Sequence, residues 1–340
     1  MKQIWNTCIV IGHAGRTNKW RRTSSLAVLL AGLGAGIPEA LAQPKAQMEL
    51  HASVEAVAPG QEFQIAVRFR VAKDWHLYWA NPGDVGLPPR VRWTAPPGFE
   101  LSGLRFPAPT RHLGPASIRS NILEGEPILL VDVRAPSDLP PDQPLTFGAS
   151  ADWLVCKSTC LRERQDAVLT LPIVASAESV RPANADLFRR ARAAMPRTQA
   201  AHLTIQAMST SQTIKPGESF EIVLQLSIKS GMRIQSHTPT IPGLVGTDVF
   251  VERTPGLIID PPIYPPPEER VDKNLGRLAE YGGRCFLRLP VSAELDLAAG
   301  PVRVAGVLKY QACDKKTGKC YRPESVEWSV ELRAGRAPDS

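Results

Sequence analysis

Four cysteines in two close pairs carry the clearest chemical signal in this 340-residue sequence. Cys156 and Cys160 sit in "ADWLVCKSTCLRERQ", and Cys313 and Cys320 in "LKYQACDKKTGKCYRPESVEWSVEL". Such spacing fits a zinc half-site, a redox dithiol or a local structural clip. In extended strands the paired residues would stand about 13 Å and about 23 Å apart, too far for a disulfide, so each pair must straddle a turn. Lys157, Ser158 and Thr159 would form a tight turn, and "DKKTGK" a wider one.

Loops this short contribute only about 2 to 2.5 kcal/mol in the chain-entropy picture, against about 4.7 kcal/mol for a hundred-residue loop, so these pairs are weak staples. A turn also brings a sulfur within reach of another protein's thiolate. Lys315, Lys316, Lys319 and Arg322 would favour a thiolate at the second pair, and Asp314 would oppose it. Local hairpin disulfides also serve as plain clips in secreted domains, so spacing alone leaves both readings standing. Zinc fits less well, because spacers of three and six residues do not pair like ribbon knuckles, and no metal is expected. His51, His76, His112, His202 and His237 are scattered, and neither a glycine-rich nucleotide loop nor a serine-nucleophile motif occurs. No cofactor is therefore expected.

The redox reading depends on compartment. Lys2, Arg16, Lys19, Arg21 and Arg22 precede an apolar run from Leu26 to Ile37 that ends in Ala40-Leu41-Ala42. This is the pattern of a secretory signal peptide over 1–42, and the run is short of the ~20 residues a membrane span needs. The rest of the chain is expected to be exported, periplasmic in a Gram-negative host, with no stable membrane insertion. Without residues 1–42 the chain has 35 basic and 32 acidic residues, a net +3. No basic stripe interleaved with aromatics appears, which argues against a nucleic-acid partner.

The elements that must hold the cysteines read as all-β. "PGQEFQIAVRFRV" and "PGESFEIVLQLSI" match at an offset of 157, and Cys156 and Cys313 stand at the same offset. "FPAP" recurs as "YPPP", and "EGEPILLVDV" as "YGGRCFLRLPV", within one residue of that offset. Apolar residues alternate with polar ones, as at Val326, Trp328, Val330 and Leu332, and Pro and Gly punctuate the runs every ten residues or so. The pattern predicts two tandem antiparallel β-sandwiches. Expected boundaries are a leader at 1–42, a first domain at 44–175, a linker at 176–200, a second domain at 201–333 and a tail at 334–340. Within the linker, 185–195 should be a short helix ended by Pro196, its arginines forming a solvated face.

"DWHLYWANPGDVGLPP", "FPAP" and "ADWLVCKSTCLRE" in the first unit, and the Cys313–Cys320 segment in the second, resemble the N-terminal periplasmic domain of the thiol:disulfide interchange protein DsbD and its ScsB-like relatives. The resemblance implies an immunoglobulin-like fold with cysteine pairs that pass reducing equivalents to thioredoxin-like periplasmic partners. The implied contexts are disulfide isomerisation, cytochrome c maturation or copper stress. Cys313 and Cys320 fall on the family's active pair, with Cys320 on the cysteine that forms mixed disulfides. Cys156 and Cys160 match the shorter-spaced pair of ScsB-like versions. The family's membrane and C-terminal thioredoxin domains have no counterpart in this sequence, so electrons are expected from a separate membrane electron-transfer protein.

Some residues depart from the family. The Cys313–Cys320 loop is one residue longer than usual, "VDKNLG" offers Leu275 where the family's cap loop places an aromatic, and the tyrosine-bearing strand reads "GMRIQSHTP", with Ser236 and His237 nearby. A binding or scaffold protein with structural disulfides is the alternative reading. Cys285, aligned with Ile128 of the first unit, should be a buried strand residue rather than a reactive thiol.

Overall fold

The structure, a computed structural model, describes residues 43–139, 143–272 and 276–335. The leader expected at 1–42 lies outside the described residues, as do residues 336–340 of the tail. Residues 46–171 form β1 (Ala46–Ala52), β2 (Glu62–Val71), β3 (His76–Gly83), β4 (Arg90–Thr94) and β5 (Glu100–Leu101). They continue with β6 (Thr110–Leu113), β7 (Arg119–Glu124), β8 (Ile128–Arg134), β9 (Leu145–Cys156) and β10 (Cys160–Leu171). One sheet has the order β1-β2-β8-β5 and the other β10-β9-β3-β7-β6, with β4 also paired to β9. The period-two alternation of β2 puts Phe63, Ile65, Val67 and Phe69 inside. There Phe69 meets Trp153, and Phe63 meets Phe147, edge to face.

Residues 203–334 form β11 (Leu203–Ser209), β12 (Thr213–Ile214), β13 (Ser219–Ile228), β14 (Met232–Gln235), β15 (Asp248–Val251) and β16 (Leu257–Ile259). After them come β17 (Glu268–Asp272), β18 (Gly276–Tyr281), β19 (Arg284–Ala293), β20 (Gly300–Tyr310), β21 (Ala312–Asp314) and β22 (Glu324–Ala334). Their sheets run β11-β13-β19-β16, β12-β22-β20-β15 and β17-β18-β14-β21. The architecture is all-β and immunoglobulin-like. No sheet among the described residues mixes strands from before and after residue 200.

Two local expectations shift. The alternating run "VRVAGVLKYQAC" reads in the sequence as one strand ending at Cys313, but β20 stops at Tyr310, and β21 leaves β22 to pair with β14. Gln311 marks the switch, its side chain donating to the Tyr321 carbonyl and accepting from the Val245 N–H. Cys285 is buried in β19 as expected, but its register differs. Arg68 pairs with Ile128, whereas Gln225, its counterpart at the 157 offset, pairs with Phe286. Ile128 therefore corresponds to Phe286, and Cys285 to Pro127.

The outward faces at these two positions also differ in packing. Between the two strand sets lies α1 (Ala185–Ala194), which buries Leu187, Phe188 and Ala191, with Met195 after it, against Ala66, Ile128 and Leu130 on the outer face of β2 and β8. Burying one Leu or Phe this way is worth about 1.5 to 3 kcal/mol. Phe286, which has no such helix over it, is 45 % exposed. The helix ends at Met195, because Pro196 disfavours the helical conformation in the residue before it. Its arginines face outward to Asp186 and Glu126, so the segment docks through its apolar stripe.

The two strand sets also meet directly. Phe250 and Val307 join the apolar cluster of Trp79, Leu77 and Phe69, with the Trp79 and Phe250 rings 6.2 Å apart. Arg111 lies over the Phe250 ring and grips both carboxylate oxygens of Asp248, at 3.0 and 3.2 Å. It also donates to Asn121 at 2.7 Å and to the Val249 carbonyl at 2.8 Å. Asn81 reaches the Val251 carbonyl at 2.8 Å.

Candidate functional site: two unequal disulfides

Both close pairs are disulfide-bonded, Cys156 to Cys160 and Cys313 to Cys320. Cys156 ends β9 and Cys160 begins β10, directly opposite in register, with Lys157, Ser158 and Thr159 as the exposed turn. Cys156 is 2 % exposed and Cys160 lies at the surface. His76 faces Cys156 from β3, and Tyr78, on the same face, faces Ile122 of β7. Tyr78, Ile122 and Cys156 form a small apolar cluster. A disulfide carries no hydrogen on sulfur, so the contact of Tyr78 Oη to Cys160 Sγ, at 3.9 Å, has the phenol as donor. Burial pushes the Tyr78 pKa up, which keeps that proton in place. Gly86, at φ +110°, lies flat on the Tyr78 ring, where a Cβ would come within 2.3 Å of a ring carbon. Burial, with the tilted His112 ring beside it at 5.3 Å, holds the His76 pKa below the usual imidazole value.

The second pair is built differently. Cys313 is 3 % exposed on β21, and Cys320, partly exposed, bridges back to it after the turn. Asp314 organises that turn by accepting from the Lys316 and Thr317 N–H groups and the Thr317 hydroxyl. The Thr317 backbone bond is the largest of the contacts that lower its pKa. Arg233 faces Cys313 across the strand pair, and Gln235, on the same face, faces Glu280 of β18. Gln235 Nε2 lies 3.3 Å from Cys313 Sγ and 3.3 Å from Glu280 Oε1. Glu280, 1 % exposed, is paired with Arg270 Nε at 2.7 Å, and that bond raises the Arg270 pKa. Arg233 is tied to Glu268 at 2.6 Å.

Residues 43–172 match the family of the thiol:disulfide interchange protein DsbD, N-terminal. That likeness covers 130 of the 340 residues. Among solved structures, the N-terminal periplasmic domain of ScsB from Proteus mirabilis is similar over 86 % of this chain and 94 % of its own, at 15 % identity and a TM-score of 0.49. The reduced DsbD N-terminal domain of Neisseria meningitidis is similar over 38 % of this chain and 85 % of its own, at 19 % identity and a TM-score of 0.25. No curated relative matches the chain.

Placed on the site of the first half, the second site corresponds strand for strand. Arg233 stands where His76 does, Gln235 where Tyr78 does, Glu280 where Ile122 does and Cys313 where Cys156 does. Sequence reading named all four paired cysteines but missed Arg233, Gln235, Glu280 and Arg270. The 157 offset was the usable signal, since it sets Gln235 beneath Tyr78. Ser236 and His237 are not at the sulfur: Ser236 donates to the Thr238 carbonyl, and His237 stacks on Tyr264 at 3.8 Å. The expected cap residue Leu275 lies outside the described residues. Lys315, Lys316, Lys319 and Arg322 are exposed.

Proposed function

We propose that the chain is a periplasmic thiol:disulfide interchange module that passes reducing equivalents between thioredoxin-like proteins. Cys313 and Cys320 form the main exchange site, while Cys156 and Cys160 act as a relay or clip. The observation that carries this reading is the asymmetry of the bonds: Cys313 and Cys156 are buried, while Cys320 and Cys160 reach solvent at a turn. A partner thiolate must approach in line with the S–S bond, so the exposed sulfur is attacked and the buried one leaves; when the reduced pair passes its electrons on, the exposed cysteine bonds the acceptor and the buried one resolves that mixed disulfide. The likeness of residues 43–172 to the DsbD N-terminal family supports thiol:disulfide chemistry. A membrane electron-transfer protein would supply the electrons, and export through a signal peptide at 1–42 would bring the chain to its partners. Among the described residues no helix is long and apolar enough to cross a membrane, and no cluster of three or more His, Cys, Asp or Glu side chains is set to hold a metal.

The deciding experiment equilibrates each pair with glutathione redox buffers, then offers the reduced chain to an oxidised thioredoxin-fold protein. Potentials above about −300 mV for at least one pair, with transfer of its electrons, are expected. Potentials below that value for both pairs, with no transfer, would make the disulfides structural and the chain a binding or scaffold protein.

A further inference from the structure

We propose that the side-chain amide of Gln235 is a catalytic hydrogen-bond donor that stabilises Cys313 as the leaving thiolate, and that Glu280 and Arg270 are positioning residues that aim it. The inference rests on the exchange reading of the Cys313–Cys320 bond. Gln235 is 1 % exposed, and its Nε2 contacts both Glu280 Oε1 and Cys313 Sγ. An amide nitrogen has two hydrogens, one for each of these contacts. A carboxylate paired with arginine offers only acceptors, so turning the amide over would set oxygen against oxygen and lose both bonds. Glu280 thereby selects the orientation that points N–H at sulfur. Arg270 fixes Glu280 and is itself bound to Asp272 at 3.1 Å. The Gln235 backbone is tied at both ends, its N–H to the Gln311 carbonyl and its own carbonyl to the Thr247 hydroxyl. Its Oε1 is buried without a hydrogen-bond partner, a cost the fold tolerates while Nε2 faces the sulfur.

The value of this donor changes along the reaction. A thiolate of the donor dithiol attacks Cys320 Sγ and forms a new S–S bond to it. The Cys320–Cys313 bond breaks, and its electron pair goes to Cys313 Sγ. The donor's second thiolate then attacks the donor's own sulfur, closing the donor disulfide and expelling Cys320 as a thiolate. Two electrons have moved to the pair, and each thiolate can take a proton from water. A disulfide sulfur accepts hydrogen bonds weakly and a thiolate strongly, so the Gln235 bond strengthens as charge develops. Without it, burial would resist charge on Cys313. The other charged groups on this face are Arg233, which favours the thiolate, its partner Glu268, and the Glu280–Arg270 pair. The first half lacks the device, since Ile122 replaces Glu280 and Tyr78 reaches the exposed sulfur instead.

The test uses the full chain with Cys156→Ser and Cys160→Ser, so that only the second pair reacts with dithiothreitol. Gln235→Met, of similar length but with no N–H, should slow reduction about tenfold. In a chain whose only remaining cysteine is Cys313, the same change should raise the thiol pKa by about one unit, read from thiolate absorbance against pH. Glu280→Gln, which frees the amide to turn, should move both readouts in the same direction by less. If the parent is reduced but neither variant changes rate or pKa, the Gln235 role is wrong and the exchange reading survives. If dithiothreitol does not reduce the parent, the exchange reading fails and takes this role with it. Should Gln235→Met not fold, Glu280→Gln alone decides between these outcomes.

Discussion

Tyr78 and Gln235 occupy the same sheet position in the two halves, yet they serve opposite ends of the two disulfides. Tyr78 Oη approaches the exposed Cys160 sulfur at 3.9 Å, and Gln235 Nε2 approaches the buried Cys313 sulfur at 3.3 Å. One half thus sets its buried cysteine among Tyr78, Ile122 and the facing His76, and the other gives it an amide donor and a facing cation.

The pairs should therefore differ in potential. Arg233 and Gln235 stabilise the reduced, thiolate-bearing form of the second pair, so Cys313–Cys320 should be the more oxidising by about 30 mV or more, a tenfold difference in the exchange equilibrium. Redox titration of chains retaining one pair each measures this. Equal potentials, or the reverse order, would contradict it.

Trapping should follow burial. Cys313→Ala leaves Cys320 accessible and should accumulate mixed disulfides with thioredoxin-like proteins, while Cys320→Ala leaves Cys313 enclosed and should trap few. The first pair should show the same order, with Cys160 the trapping residue. Gel analysis under oxidising conditions reads the outcome, and a reversed pattern would refute the assignment.

Cys285 should be inert. It is 9 % exposed, and burial pushes its thiol up to about 11. In the folded, oxidised protein, iodoacetamide at neutral pH should leave it unmodified until denaturant is added. Rapid labelling of Cys285 would overturn this.

Arg111 should be structural cement between the halves. Arg111→Ala removes its bonds to Asp248, Asn121 and the Val249 carbonyl and leaves the part-buried Asp248 carboxylate with the Tyr264 hydroxyl but without the guanidinium, so a loss of about 1.5 to 3 kcal/mol is expected in urea unfolding. A loss under about 0.5 kcal/mol would mean that this contact adds nothing.

His76 should make stability depend on pH. Burial holds its folded pKa below the usual 6.5, so the unfolded chain takes up a proton that the folded chain refuses as pH falls through that value. Its contribution is full above about 6.5 and is lost as pH drops towards the folded value. His76→Phe should flatten this acid limb in unfolding titrations. An unchanged limb would assign the dependence to other groups.

The sequence alone determined much of the local structure: the strand alternation, the helix before Pro196, the turns within both cysteine pairs and the burial of Cys285. These follow from periodicity and turn chemistry, which are properties of short stretches. Tertiary structure alone decided what surrounds each sulfur. Cys313 meets Arg233 and Gln235, and Gln235 meets Glu280, because β21 leaves β22 and joins β14, which itself pairs with β18. Arg111 meets Asp248 across 137 residues of chain. Alternation tells which face a residue takes, but strand order and register decide who stands opposite, and a slip of one residue exchanges the neighbours. That is why Cys285 aligns with Ile128 in the sequence but takes the position equivalent to Pro127 in the sheet.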